Sequence, residues 1–268
     1  MLQVRSGNLD DGVSERLERA YYALQATPAR HFGQEADGWF LTGVEGLDPP
    51  SLNRAVVTSA AAAAADEVRQ AAERFFRPRD ARWSITLATF RAWEDWHANL
   101  VGGSMLFDSR LNVMVRATRD AVSAPSDIAV RRVEVDEITD YTQLLLDIFR
   151  MPGRFLLPLR DMTAAWIDAG ATAYYGLDEA DEPVATAMVT HTDGVAGVYN
   201  VGVLRHARRR GYARALMAAL IDEASEDDFV TLQVGPDDFV EHFYQRLGFV
   251  QAYEWRFYTP RPKWSLFG

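Results

Sequence analysis

Five arginines fall between positions 205 and 214, at Arg205, Arg208, Arg209, Arg210 and Arg214, in a chain whose formal net charge is −10. They surround a single glycine, Gly211, and follow directly on an apolar run from Val195 to Leu204. Beyond the glycine, Leu216, Met217, Leu220 and Ile221 recur at helical spacing. Strand, short basic loop and helix together make a place for an anion. The first N–H groups of a helix have no partner within it, its dipole is positive at that end, and glycine lets the backbone approach a ligand closely. A diphosphate is the natural guest. Charge alone does not separate this from a solvated arginine patch. Lys263 is the only lysine among 28 Lys and Arg residues, a bias that lowers the weight of any one arginine. The order of residues rules out two other phosphate loops, since neither Gly-x-Gly-x-x-Gly nor Gly-Lys-Ser/Thr is present.

Other chemistries are bounded by composition. The chain has 268 residues, 48% apolar and 25% charged, as an ordinary globular protein of one large or two average domains would have. With no cysteine there is no disulfide, thiolate metal site or cysteine nucleophile. His31, His97, His191, His206 and His242 show no metal-ligand spacing, so no metal is expected. The acidic balance argues against a broad nucleic-acid surface, and aromatic residues do not alternate with the arginines as a stacking platform requires. No apolar run reaches membrane-spanning length and Met1–Ser6 does not read as a signal peptide; a reducing cytoplasm is the expected setting.

These residues need elements to hold them. Val13, Leu17, Tyr21 and Leu24 predict a helix over 12–26, and six consecutive alanines open another over 60–76. Short strands are expected at 39–43 and 55–58, separated by Asp48-Pro49-Pro50, with further strands around 83–87 and 112–117. The polar, Pro-containing stretch 118–127 reads as a linker, dividing a domain at 1–120 from one at 128–268. The second domain predicts a strand over 128–135, helices over 138–149 and 155–169, and two antiparallel strands at 171–176 and 183–190. Asp193-Gly194 then forms a tight turn into the strand 195–204. A strand at 229–234 and a helix over 237–247 follow, with Gly248 at the C-cap. No repeat between the halves is visible residue by residue.

Arg208-x-x-Gly211-x-Ala213 after an apolar strand resembles the pyrophosphate signature Arg/Gln-x-x-Gly-x-Gly/Ala of the GCN5-related N-acetyltransferases. Tyr244-x-x-Leu247-Gly248-Phe249 resembles the second block of that family, in the right order and at the right distance. The resemblance covers about 128–259. The first half looks like the degenerate leading domain of tandem members, through Gly38–Gly43 and Asn53–Val56, but lacks the signature. The resemblance implies an α/β (α+β) fold: a mixed, mostly antiparallel sheet flanked by helices, with two strands splayed to admit acyl-CoA, and two such domains in tandem. It implies acetyl-CoA as co-substrate, no metal, and direct attack by a primary amine. Val201 and Val203 would offer main-chain groups to the thioester and pantetheine, the N–H of Val201 serving as oxyanion donor. Arg208, Arg209, Arg210, Gly211, Tyr212, Ala213 and Arg214 would form the pyrophosphate loop, the N–H groups from Arg209 to Arg214 holding the phosphates. Asp237 stands where relatives often carry Asn near the CoA.

Tyr244 is the residue the resemblance implies as general acid, a phenol being protonated at neutral pH. By helical spacing alone it would pack in the core beside Phe239 and Phe243. A glutamate that some relatives carry early in the strand before the motif is replaced by Gly197. The base stays open among water, His191, Asn200 and Glu254. The alternative is a non-catalytic acetyl-CoA-binding or sensor module. The acceptor expected is a small-molecule amine, with no nucleic-acid or membrane partner, and the sequence does not specify an oligomeric state.

Overall fold

The structure, a computed structural model, describes residues 11–25, 31–59, 64–90, 93, 95–119, 122 and 127–261. In chain order it runs α1 (Asp11–Gln25), β1 (His31–Ala36), β2 (Trp39–Val44), β3 (Arg54–Val57), α2 (Ala65–Phe76), β4 (Ser84–Ala88), α3 (Trp96–Gly102) and β5 (Met105–Ala117). Then come β6 (Ala129–Arg132), α4 (Ile138–Phe149), α5 (Leu156–Asp168), β7 (Thr172–Leu177), β8 (Pro183–Thr192) and β9 (Val195–Val203). The chain closes with α6 (Tyr212–Glu223), β10 (Phe229–Val234), α7 (Asp238–Gln245) and β11 (Val250–Pro260). Among the described residues no helix is long and apolar enough to cross a membrane.

Two compact units emerge, and they are not the linear halves on either side of 118–127. One comprises 1–30 with 113–252, the other 31–112 with 253–268. The boundaries fall inside β5 and β11, and α1 belongs with the C-terminal elements because its apolar stripe of Val13, Leu17, Tyr21 and Leu24 packs against β8 and β9. Trp166 of α5 donates its indole N–H to Leu24 O at 2.9 Å, tying the far end of α1 into the same unit.

In the larger unit the strand order is β10-β9-β8-β7-β6, antiparallel except for β9 and β10. Those two are parallel because α6 crosses between them. Val113–Ala117 of β5 continues the sheet beyond β10, where Thr231 Oγ1 donates to Met114 O at 3.0 Å. Ala196 and Val198 of β9, with Val230 and Leu232 of β10, bury one face under Leu216, Met217 and Leu220 of α6. The β8–β9 hairpin turns on Asp193 (φ 51°) and Gly194 (φ 72°), the two positive angles of the expected tight turn.

The smaller unit has the order β1-β2-β3-β4-β11-β5. Its run β3–α2–β4–α3 parallels β9–α6–β10–α7. In each case a helix of 12 residues joins two parallel strands paired over three residues. The repetition lies in topology and not in residue identity, since nothing like Arg208–Ala213 precedes α2.

Several elements depart from expectation for local reasons. The strand expected over 128–135 stops at Arg132, because Glu134 and Glu137 cap each other in a one-turn helix and Arg131 holds Glu137 through two bonds of 2.7 Å. α2 begins at Ala65; positions 60–63 and most of the expected linker lie outside the described residues. Pro158 sits at the third position of α5, where a missing N–H leaves no helical bond unmade.

Candidate functional site

Pairing between β9 and β10 is brief. Val195, Ala196 and Gly197 pair with Phe229, Val230 and Thr231, and there the ladder stops, although β9 runs on to Val203 and β10 to Val234. The two strands separate beyond Gly197. On the other side of β9, Thr186 pairs with Gly202 and Met188 with Tyr199, so Asn200 and Val201 together face Ala187 alone. This is a β-bulge, with Asn200 in the left-handed region at φ 58°. It is pinned from both strands: Thr186 Oγ1 donates to Asn200 O at 2.8 Å, and the fully buried Tyr141 donates its hydroxyl to Ala187 O at 3.1 Å. Burial pushes the Tyr141 phenol up, keeping it a donor.

The bulge decides which way the next main-chain groups point. Leu204 N–H bonds Val184 O at 2.9 Å, so by strand alternation Gly202 also faces β8. Val201 and Val203 therefore turn their N–H and C=O groups away from β8, into the gap beside β10. Val203 O accepts from Arg208 Nε at 3.0 Å, consistent with that direction. One expected residue pair is thus brought together by the backbone.

The loop from Leu204 to Gly211 leads to the start of α6. A single 3₁₀ turn over Arg205–Ala207 is followed by Arg209 at φ 64° and Gly211 at φ 100°. Gly211 is the N-cap and brings no side chain to the helix end. The first α6 amides bonded within the helix are those of Arg214 and Ala215, both to Gly211 O, at 2.9 and 3.0 Å. The preceding N–H groups at Tyr212 and Ala213 lie in the first turn, where a helix meets anions. Among the arginines, Arg208 ties the loop back to β9, and Arg210 pairs with Glu179 at 3.0 Å. The site's positive charge therefore comes from the helix start together with the loop, not from five free guanidinium groups.

Tyr244 is 6% exposed, its ring 5.0 Å from Phe243 and 5.8 Å from Phe249. Burial raises its phenol pKa, so the hydroxyl keeps its proton. It belongs to the same apolar cluster as Val230, Leu232 and Val234, with Val201 and Val203 at its margin. Phe239 does not join it. That side chain is 69% exposed, one turn away on the outer face of α7. Asp237 caps α7, its Oδ1 accepting from Phe239 and Val240 N–H at 2.9 and 3.2 Å. Replacing Asp237 by alanine is expected to cost about 1 kcal/mol of stability by denaturant titration, and Asp237→Asn much less, since both carboxylate and amide cap well.

The base candidates separate. Asn200 is at the bulge. His191 lies at the opposite end of the β8–β9 hairpin, its Nδ1 2.7 Å from Asp227. Glu254 belongs to the smaller unit, where it pairs with Arg110 and Arg256. At Gly197 an added Cβ would lie 2.6 Å from Tyr199 Oη and 3.0 Å from Thr190 Oγ1, so a side chain there would have to displace the Tyr199 ring. Tyr141 and Thr186, which hold the bulge, carry no signal in the sequence beyond being polar residues in apolar runs.

Residues 139–249 match the model of the acetyltransferase (GNAT) family. No curated protein matches the chain. Among solved structures, a GCN5-related N-acetyltransferase from Kribbella flavida is 20% identical, with a TM-score of 0.70 over 92% of this chain and 95% of that one. A second, from Sphaerobacter thermophilus, is 17% identical, with a TM-score of 0.63 over 85% and 82%. A tandem GNAT protein from the clavulanic acid biosynthesis pathway is 13% identical, with a TM-score of 0.62 over 94% and 96%. These likenesses concern the fold, and they extend along nearly the whole chain.

Proposed function

Residues 139–249 form a domain of the acetyltransferase (GNAT) family, and on that premise we propose that the chain transfers an acetyl group from acetyl-CoA to a primary amine. The observation that carries this reading is the gap between β9 and β10, opened beyond Gly197 and edged by the outward-turned amides of Val201 and Val203. Acetyl-CoA supplies an activated carbonyl and a thiolate leaving group. The chain's own contribution is to hold, polarise and protonate. Val201 N–H donates to the acyl oxygen, and Val203 offers its N–H to the pantetheine arm. The N–H groups from Arg209 to Ala213, with Gly211 among them, receive the pyrophosphate, the Arg214 N–H being taken up by Gly211 O, and Arg208 steadies the loop. Tyr244 keeps a proton on Oη and gives it to the departing sulfur. The resemblance to the family implies that the amine attacks the thioester directly, and with no cysteine in the chain a cysteinyl intermediate is excluded. Net charge −10 favours a small cationic amine as acceptor.

Calorimetric titration with acetyl-CoA, followed by CoA release across a panel of amines, tests this. One site of micromolar affinity and release with at least one amine is expected. Two sites would mean that the smaller unit also binds acyl-CoA. Tight binding without release for every amine would make the chain a sensor, and no binding by folded protein would return the arginine loop to a surface patch.

A further inference from the structure

Tyr244 lies in the last turn of α7, so the way that helix stops decides where its ring stands. Gly248, at φ 85°, turns the chain back. Phe249 N–H then bonds Tyr244 O at 3.1 Å and Gly248 N–H bonds Gln245 O at 2.9 Å, the paired bonds of a glycine helix stop. An apolar contact across the glycine accompanies such a stop, and here it is made by Phe249 and Tyr244 themselves, their rings 5.8 Å apart. Carbonyls at a helix end need partners from outside the helix. Leu247 O has one in Arg116, whose Nη1 donates to it at 2.6 Å.

Arg116 stands in the part of β5 that belongs to the larger unit, upstream of the matched residues 139–249. Among the described residues it is the one buried basic side chain of that unit, at 3% exposure. Its guanidinium is held from several sides. Nε donates to Ala117 O at 3.2 Å, Nη1 to Leu247 O, and the central carbon lies 5.9 Å from the centre of the Phe249 ring. The dipole favours a cation at a helix C-terminus, and a planar guanidinium also suits an aromatic face. The arginine thus grips the stop on both sides of Gly248, by the carbonyl before it and the ring after it.

We propose that Arg116 is a positioning residue for Tyr244, an inference that rests on the acetyl-transfer reading and on Tyr244 as its proton donor. The chain of contacts is short: guanidinium, Phe249 ring, Tyr244 ring. Without the guanidinium, Leu247 O loses its bond and Phe249 a neighbour, and the wall that sets the angle of the Tyr244 ring is free to shift. Misplacing a catalytic group by about 1 Å costs up to ~10²-fold in rate. These contacts lie at the end of α7 and not in the loop 204–211, so acetyl-CoA binding is not expected to follow.

The test is a double-mutant cycle, run with an amine that the wild type acetylates. Arg116→Met keeps a long apolar stem and removes the planar fork. It is expected to lower kcat at least ~10-fold, with acetyl-CoA affinity by calorimetry within about twofold of wild type. In the Tyr244→Phe background, where there is no proton to place, the same change is expected to lower kcat less than ~2-fold. A merely structural role would lower kcat equally in both backgrounds. That equal loss, or a folded Arg116→Met protein with undiminished kcat, overturns the assignment and leaves acetyl transfer standing. Should Arg116→Met fail to fold, Arg116→Lys, which keeps the charge without the fork, takes its place in the cycle. A loss of at least ~3-fold confined to the background that retains Tyr244 then supports the role, and a full rate or an equal loss overturns it. A Tyr244→Phe enzyme as fast as wild type overturns Tyr244 as donor and this role of Arg116 with it. A wild type that binds no acetyl-CoA, or transfers to no amine, overturns acetyl transfer itself.

Discussion

Replacing Tyr244 by phenylalanine is expected to lower kcat by about 10²–10⁴ while leaving acetyl-CoA affinity unchanged. The substitution removes one hydroxyl from a ring already wedged beside Phe243 and Phe249, so the apolar cluster keeps its shape. What it removes is the proton that the leaving sulfur would take. Burial raises the phenol's pKa, so Tyr244 stays a donor to the alkaline limit of protein stability and contributes no falling limb to a pH–rate profile at neutral pH. Steady-state kinetics and calorimetry on the same preparation check both halves of the expectation. A kcat equal to wild type would leave Tyr244 as packing alone.

The second large effect is expected at Gly211. Its φ of 100° suits glycine and strains any other residue, most of all a β-branched one. Gly211→Val would either hold that angle at a cost of about 1–3 kcal/mol or rotate the loop and turn the first amides of α6 away from the pyrophosphate. Hydrogen bonds to a charged group are worth about 1.5–3 kcal/mol each, so losing one should weaken acetyl-CoA binding by roughly 10–100-fold. The acceptor's KM should move far less. Calorimetry with acetyl-CoA, set beside the melting temperature, separates lost binding from lost fold. Unchanged affinity in a folded Gly211→Val protein would exclude this loop from the pyrophosphate site.

Much of the larger unit was legible because its signals are local. The alternation of β10, the stripe of α6, the Asp193-Gly194 turn and Gly248 at φ 85° each follow from neighbours a few residues apart. The bulge was not. Nothing in Tyr199-Asn200-Val201 announces an extra residue, apart from asparagine's tolerance of the left-handed region, and the bulge exists only against β8. β1 was missed despite Asp37-Gly38, with Gly38 at φ 73°, and β11 despite the buried alternation of Tyr253, Trp255 and Phe257. The first half of β5 is mostly exposed and so lacks the apolar rhythm that marks Val113–Val115. For α1, periodicity identified the buried face but could not say which strands it covers. The burial of Glu18 on that face, at 4% exposure, runs against expectation, a glutamate on a helix being solvated by default.

The interleaving of the two units bears on how the chain acquires its structure during synthesis. Helix α1 leaves the ribosome ahead of its partners β8 and β9, which follow only after the whole stretch 31–112 has been made. The smaller unit in turn waits for Trp255–Tyr258, near the end of the chain, before β4 gains its antiparallel neighbour β11. Neither unit can close in its native form until both of its separated segments have been made, and contacts so distant in sequence slow folding. A fragment beginning at 128 would expose the β8–β9 surface that α1 covers, and expression of it alone should give aggregation-prone protein.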